Sequence, residues 1–187
     1  MAIRTILQEN DPILRKVSRP VQEVDDKTRE LIDDMVETLK EAEGAGLAAV
    51  QVGVLRRIIV VDVGQGPMEI INPTIVRSNG EIVSAEGCLS IPGLRREVPR
   101  PAKVTVSGLN REGKAVMYTG QGLFARAICH EVDHLDGVLF VDKAMPEAKA
   151  LLEGSRVCKG RWWFLPAEQP AQSCCFSSSF TGRRPKA

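Results

Sequence analysis

The only two histidines of this 187-residue chain stand four residues apart, in His130-Glu131-Val132-Asp133-His134. In an α-helix, residues four apart share a face, one turn above the other, so both imidazoles can reach a single metal ion. Glu131 directly follows the first histidine and therefore flanks the metal instead of binding it. A carboxylate in that place can take a proton from water that the metal activates. The competing reading is a buried helix with two incidental histidines. Against it stand the exclusive use of histidine at this spacing and the carboxylate at the required offset.

A catalytic metal has three protein ligands and one open position. No third histidine exists, so the third ligand is a Cys, Asp or Glu. Cys129 points about 100° around the helix from His130, off the ligand face. Cys158, Cys174 and Cys175 lie in or beside the last thirty residues, where no regular pattern survives. Asp133 faces away and Asp136 comes after the helix. Cys88 remains, in Glu86-Gly87-Cys88-Leu89-Ser90, where glycine allows a sharp approach. Spacing selects the histidines; elimination favours Cys88.

The element that must carry the histidines is legible. Leu123, Phe124, Ala127, Ile128, His130, Glu131, His134 and Leu135 recur at helical spacing with no proline among them, and Gly137 is a stop. Residues 25–43 predict another helix, capped by Asp25 or Asp26, with Leu31, Met35, Leu39 and Ala42 on one face. Ile58 to Val63 is a continuous β-branched run and predicts a buried strand. Met68 to Asn72 and Glu81 to Ser84 are shorter strand candidates around the Asn79-Gly80 turn. Lys103 to Leu109 and Lys114 to Thr119 predict an antiparallel hairpin. Val138 to Val141 predicts a short strand, and Pro146 opens a last helix through Leu152.

Residues 1–24 read as an extended arm with turns. Gly44-Ala45-Gly46-Leu47-Ala48-Ala49-Val50-Gln51 is either a tight turn into a strand or a backbone that something approaches closely. The sum is an α+β fold, a mostly antiparallel sheet packed around the central helix that carries the histidines.

Composition bounds the function. A chain of 20.4 kDa with 43% hydrophobic and 26% charged residues is one globular domain. A net charge of +1 does not support general nucleic-acid binding. No apolar run is long enough to cross a bilayer. No signal or transit pattern is visible, so a soluble, cytoplasmic protein is expected. Five cysteines without a secretory leader argue against a disulfide framework. The organisation expected is a catalytic domain over 1–157 and an irregular, disordered tail over 158–187. That tail contains Trp162-Trp163-Phe164, a serine run and Arg183-Arg184-Pro185-Lys186.

Three stretches together, Gly44 to Gln51, Glu86 to Ser90 and His130 to His134, resemble the signature motifs of peptide deformylases, in that family's order and at similar intervals. The opening Ile6-Leu7 and Asp11-Pro12-Ile13-Leu14-Arg15 and the sequel Leu135-Asp136-Gly137-Val138-Leu139-Phe140 are similar to the family too. The resemblance covers roughly residues 3–155. It implies an enzyme that removes the formyl group from the initiator methionine of new polypeptides, releasing formate. It implies Cys88, His130 and His134 as ligands of one ion per chain, Fe²⁺ by habit of the family, with Zn²⁺ or Ni²⁺ able to replace it. Glu131 would be general base and acid, and Gln51 with the backbone N–H of Leu89 would hold the oxyanion.

By the same resemblance Gly46, Ile91 and Gly93 contact the substrate backbone, Arg95 stands near the substrate's exit, and Ala127 walls the methionine pocket. The partners implied are nascent formyl-Met polypeptides at the ribosome, met by a monomer. Ala45 departs from the isoleucine or valine of that motif position, which would widen the pocket.

Two other functions compete. A zinc endopeptidase of the H-E-x-x-H type needs a further His or Glu downstream, where only Glu147 and Glu153 offer themselves without the expected context. A structural metal or thiol module using Cys88 with Cys129 needs four ligands, and three are found.

Overall fold

A computed structural model describes residues 2–146. The last helix expected from Pro146 through Leu152, and the tail beyond it, lie outside the described residues.

The first helix, α1 (Asp26–Glu41), starts where the Asp25 side chain accepts the Thr28 N–H at 2.8 Å. Its apolar stripe of Leu31, Ile32, Met35 and Leu39 is buried. The chain then passes through β1 (Gly46–Ala48), a 3-10 turn (Ala49–Val52), β2 (Ile58–Val61), β3 (Met68–Asn79), β4 (Ile82–Cys88), β5 (Ile91–Arg100), β6 (Lys103–Leu109) and β7 (Ala115–Gln121). The second helix, α2 (Leu123–Leu135), follows.

Strands β1-β2-β3-β6-β7, in that order, form a five-stranded sheet, and β4-β5 form a separate ribbon; every pairing is antiparallel. The α+β architecture read from the sequence is therefore the observed one.

β2 explains its own sequence. Ile58 and Val60 pack with α1, whereas Ile59 and Val61 pack with α2, so both faces of the strand are buried. That is why the run is continuously apolar instead of alternating.

Four local expectations differ from the structure. β4, expected over Glu81 to Ser84, runs on to Cys88. β3 runs on to Asn79, well past Asn72, because β6 pairs with it as far as Asn79↔Lys103. β5 was not anticipated: Pro92, Gly93, Arg95, Arg96 and Glu97 break its apolar period, and pairing with β4 alone sustains it. The strand expected over Val138–Val141 is instead a 3-10 turn, Phe140–Asp142. Asp142 accepts the Leu139 N–H at 2.9 Å, closing the turn, while Leu139 and Phe140 pack with Leu14, Ile91 and Val98.

The amino-terminal arm is extended apart from a 3-10 turn, Pro12–Arg15, begun by Asp11. It is stitched to the elements around the histidines. The Leu7 N–H donates to the Gln51 carbonyl (2.8 Å), the Glu9 N–H to the Ser90 carbonyl (2.9 Å) and the Ser18 N–H to the Leu135 carbonyl (2.8 Å).

Candidate metal centre

α2 is short but central. Ala125, Ala127, Ile128, Cys129, Val132 and Leu135 are buried, and so are His130, Glu131 and His134. Gly137, at φ +74°, ends it; a Cβ there would stand 2.6 Å from the Arg15 carbonyl oxygen.

The third candidate ligand arrives from the ribbon. β4 and β5 are joined by a two-residue turn, Leu89-Ser90, and the register slips between Glu86 and Cys88. Such a bulge re-aims side chains. On either side of it, Glu86 and Cys88 both reach the histidines of α2.

The result is a convergence. His134 Nε2 lies 3.2 Å from His130 Nε2 and 3.2 Å from Cys88 Sγ, and one ligand atom from each residue falls within 4.8 Å of the others. A tetrahedral ion with bonds near 2.1 Å separates its ligand atoms by about 3.4 Å. His130 Nδ1 faces Glu86 Oε1 at 2.6 Å, so Nδ1 carries the hydrogen and Nε2 keeps its lone pair for a metal. Two imidazole nitrogens that face each other this closely repel unless a proton or a cation sits between them. The donor set fits a metal ion.

Behind these three candidate ligands runs a chain of charges. Arg100, 3% exposed, donates to both Glu86 oxygens (2.6 and 3.0 Å) and to Asp133 (2.5 Å), which also accepts from Lys143 (2.7 Å). Burial alone would raise Glu86. Hydrogen bonds from His130 and Arg100 outweigh it and bring the carboxyl down to about 2, so it is an anion. Burial pushes Glu131 up to about 7, against the opposing pull of His130. Burial foremost drives His134 well below its ordinary value, leaving a neutral imidazole.

A cleft of about 490 Å³ opens over this cluster. Its walls include Gly46, Gln51, Cys88, Leu89, Ile91, Gly93, Arg95, Ala127, His130 and Glu131, so these residues singled out from the sequence face one space; His134 does not line it but approaches Cys88 Sγ at 3.2 Å. Ala45 also lines it. A Cβ on Gly46 would come within 2.4 Å of Glu131 Oε1, so the carboxylate occupies the place a side chain would fill. Glu131 Oε2 is buried without a hydrogen-bond partner among the described residues.

The rejected ligands are elsewhere: Asp133 serves Arg100 and Lys143, and Asp136 serves Arg57 (2.6 Å). Cys129 is buried, outside the cluster. Glu147 and Glu153 lie outside the described residues.

The sequence reading passed over Glu86, Ser90 and Arg100. The first had a usable signal, its two-residue spacing from Cys88 in a strand. Ser90 and Arg100 had none, because their partners are 39 and 14 residues distant.

Comparison with known proteins agrees with this geometry. Residues 3–150 match the family described as polypeptide deformylase. A peptide deformylase of Acetivibrio thermocellus is 56% identical over 145 residues, covering 78% of this chain and 85% of that protein. One from Alkaliphilus metalliredigens is 55% identical over 147 residues, covering 79% of this chain and 100% of that protein. Among solved structures, a peptide deformylase from Legionella pneumophila superposes with a TM-score of 0.75 at 47% identity, covering 78% of this chain and 88% of that one. With that match over most of its length, and with a thiol and two imidazoles converging as a metal site, this chain belongs to the polypeptide deformylase family and is an enzyme, a metal-dependent deformylase.

Proposed function

We propose that this chain hydrolyses the formamide of formyl-Met polypeptides through the residues that line its cleft, with Cys88, His130 and His134 holding one Fe²⁺, which Zn²⁺ or Ni²⁺ can replace. The bound ion supplies Lewis acidity, making a hydroxide nucleophile accessible near neutral pH. A thiolate donor tempers that acidity and suits a ferrous ion.

Glu131 accepts the proton of the attacking water and passes it to the leaving amine, freeing the amino terminus and formate. Its burial supports the role, since a carboxyl raised toward neutral pH can both take and give a proton. Gln51 and the Leu89 N–H stabilise the oxygen that becomes negative, each donor worth about 3 kcal/mol. The peptide lies along Gly46 on one side and Ile91 and Gly93 on the other, as an added strand. The methionine side chain fills the apolar wall at Ala127, and the chain leaves past Arg95.

The polypeptides reach the site as nascent chains at the ribosome, in the cytoplasm, and the enzyme works as a monomer. No helix among the described residues is long and apolar enough to cross a membrane. Residues 1–157 form the catalytic domain and 158–187 a tail that the chemistry does not need. A 1–158 fragment should therefore keep metal and deformylation; a clear fall in kcat/KM would make the tail part of the working enzyme.

The observation that carries this reading is the meeting of Cys88, His130 and His134 beside the Glu131 carboxylate, whose Oε2 has no partner among the described residues. Formate release from a formyl-Met tripeptide by the iron-loaded protein tests it, with casein as the competing substrate. Casein cleavage without formate release would instead make the chain an endopeptidase.

A further inference from the structure

Gln51 is held by three contacts, and their pattern assigns a task to a residue with no role so far. The side chain is 1% exposed. Its Oε1 accepts the Ala48 N–H at 2.8 Å, which fixes which end of the amide is oxygen. Its Nε2 donates to Ser90 Oγ at 3.1 Å and faces Cys88 Sγ at 3.6 Å. An amide nitrogen has two hydrogens about 120° apart in the amide plane, so committing one of them sets the direction of the other. With one hydrogen on Ser90, the remaining hydrogen points toward Cys88 and the ligand cluster.

Ser90 is itself immobilised. It is fully buried, and its carbonyl accepts the Glu9 N–H at 2.9 Å. The same arm donates from the Leu7 N–H to the Gln51 carbonyl at 2.8 Å. One stretch of the arm thus ties the backbone of both partners, one on the 3-10 turn after β1 and one on the β4–β5 turn.

We propose that Ser90 is a positioning residue: its hydroxyl accepts one Gln51 amide hydrogen, so that the other is aimed into the cleft where the oxyanion forms. This rests on the reading of Gln51 as an oxyanion donor. Without the hydroxyl, the Gln51 amide keeps its Ala48 contact and the long Cys88 contact but loses the shorter of the two that its nitrogen makes. The donor is then present but loosely aimed, and transition-state stabilisation falls while substrate binding does not.

The test is a double-mutant cycle on the metal-loaded protein with a formyl-Met tripeptide, measuring kcat, KM, bound metal and Tm for each variant. Ser90→Ala should lower kcat about tenfold, part of the hundredfold or more that losing a whole oxyanion donor costs, with KM and metal content unchanged. Ser90→Cys, which keeps a weak acceptor, should recover part of that loss. In the Gln51→Ala background, Ser90→Ala should change kcat less than about twofold, because nothing is left to aim.

An equal loss in both backgrounds would overturn the proposal, and so would an unchanged kcat in Ser90→Ala. Unfolding of both serine variants would also overturn it, since Ser90 would then serve the fold. If Gln51→Ala itself keeps full kcat, it is the oxyanion reading of Gln51 that fails, and the two failures are told apart.

Discussion

α1 and α2 pack on opposite faces of one sheet, and each buries polar side chains among its apolar ones. α1 buries Thr28, Asp34 and Thr38; α2 buries His130, Glu131 and His134. In α1 those groups are paired. Thr28 Oγ1 donates to Asp25 at 2.6 Å, Asp34 accepts from the Ala2 N–H and Arg4, and Thr38 Oγ1 accepts the Arg4 N–H at 2.9 Å. Thr28 closes the helix cap, and Asp34 and Thr38 anchor the amino-terminal arm.

In α2, by contrast, Glu131 Oε2 and His134 Nδ1 have no partner among the described residues, and two imidazole nitrogens confront each other across 3.2 Å. An unpartnered buried polar group costs about 1–3 kcal/mol. Groups of the same kind, on helices of the same construction, therefore serve structure where they are satisfied. Where they are left unsatisfied beside a cleft, they are the groups proposed for chemistry.

If that distinction holds, substitutions on the two helices should fail differently. The largest effect is expected at the ligand brought to α2. Cys88→Ala should lose bound metal and with it activity, whereas Cys129→Ala, one residue from His130 but outside the cluster, should keep both; elemental analysis decides. The opposite pattern would mean that the wrong sulfur was chosen. Next comes Gly46→Ala. Its Cβ meets Glu131 at 2.4 Å, so kcat should fall at least about tenfold, a barrier change of roughly 1.4 kcal/mol, with metal retained. An unaffected kcat would show that Glu131 can work from another position.

On the α1 side the expected losses are of stability. Met35→Ala removes a fully buried side chain and should cost about 2–5 kcal/mol in denaturant unfolding, with kcat per folded molecule unchanged. A fall in kcat would couple this helix to the site and blur the contrast. The smallest effect is a pH dependence. The Ala2 N–H foremost, with Arg4, outweighs burial and holds Asp34 below its ordinary 3.8. A depressed native pKa contributes stability above the unfolded value and loses it as pH falls through the native one. Asp34→Asn should thus have a lower Tm than wild type at pH 7, with the gap closing below about pH 3.8. A gap that is constant down to acid pH would mean that the charge of Asp34 is not what anchors the arm.

The legibility of this molecule in its sequence followed the range of the interactions. The α2 period, the i, i+4 histidines and the hairpin around Asn110-Arg111-Glu112-Gly113 depend on neighbours in the chain and could be read directly. β5 could not, because a two-stranded ribbon needs no apolar alternation and its Pro92 and Gly93 look like loop. The turn at Phe140 was mistaken for a strand because a short apolar run looks the same whether it pairs or simply plugs a gap. Cys88 was reached by elimination and by resemblance, since nothing local says that the β4 bulge turns it toward α2. Arg100 and Ser90 were invisible for the same reason, whereas Glu86 could have been picked out by its two-residue spacing from Cys88.

As proposed, α2 presents a metal centre with Glu131 as its proton carrier. Formate release and bound metal measured side by side for wild type and Glu131→Ala test it most directly. The variant should keep its metal and its Tm while kcat falls by at least a hundredfold, about 2.7 kcal/mol of barrier. Retention of a tenth or more of wild-type kcat, with full metal, would contradict it.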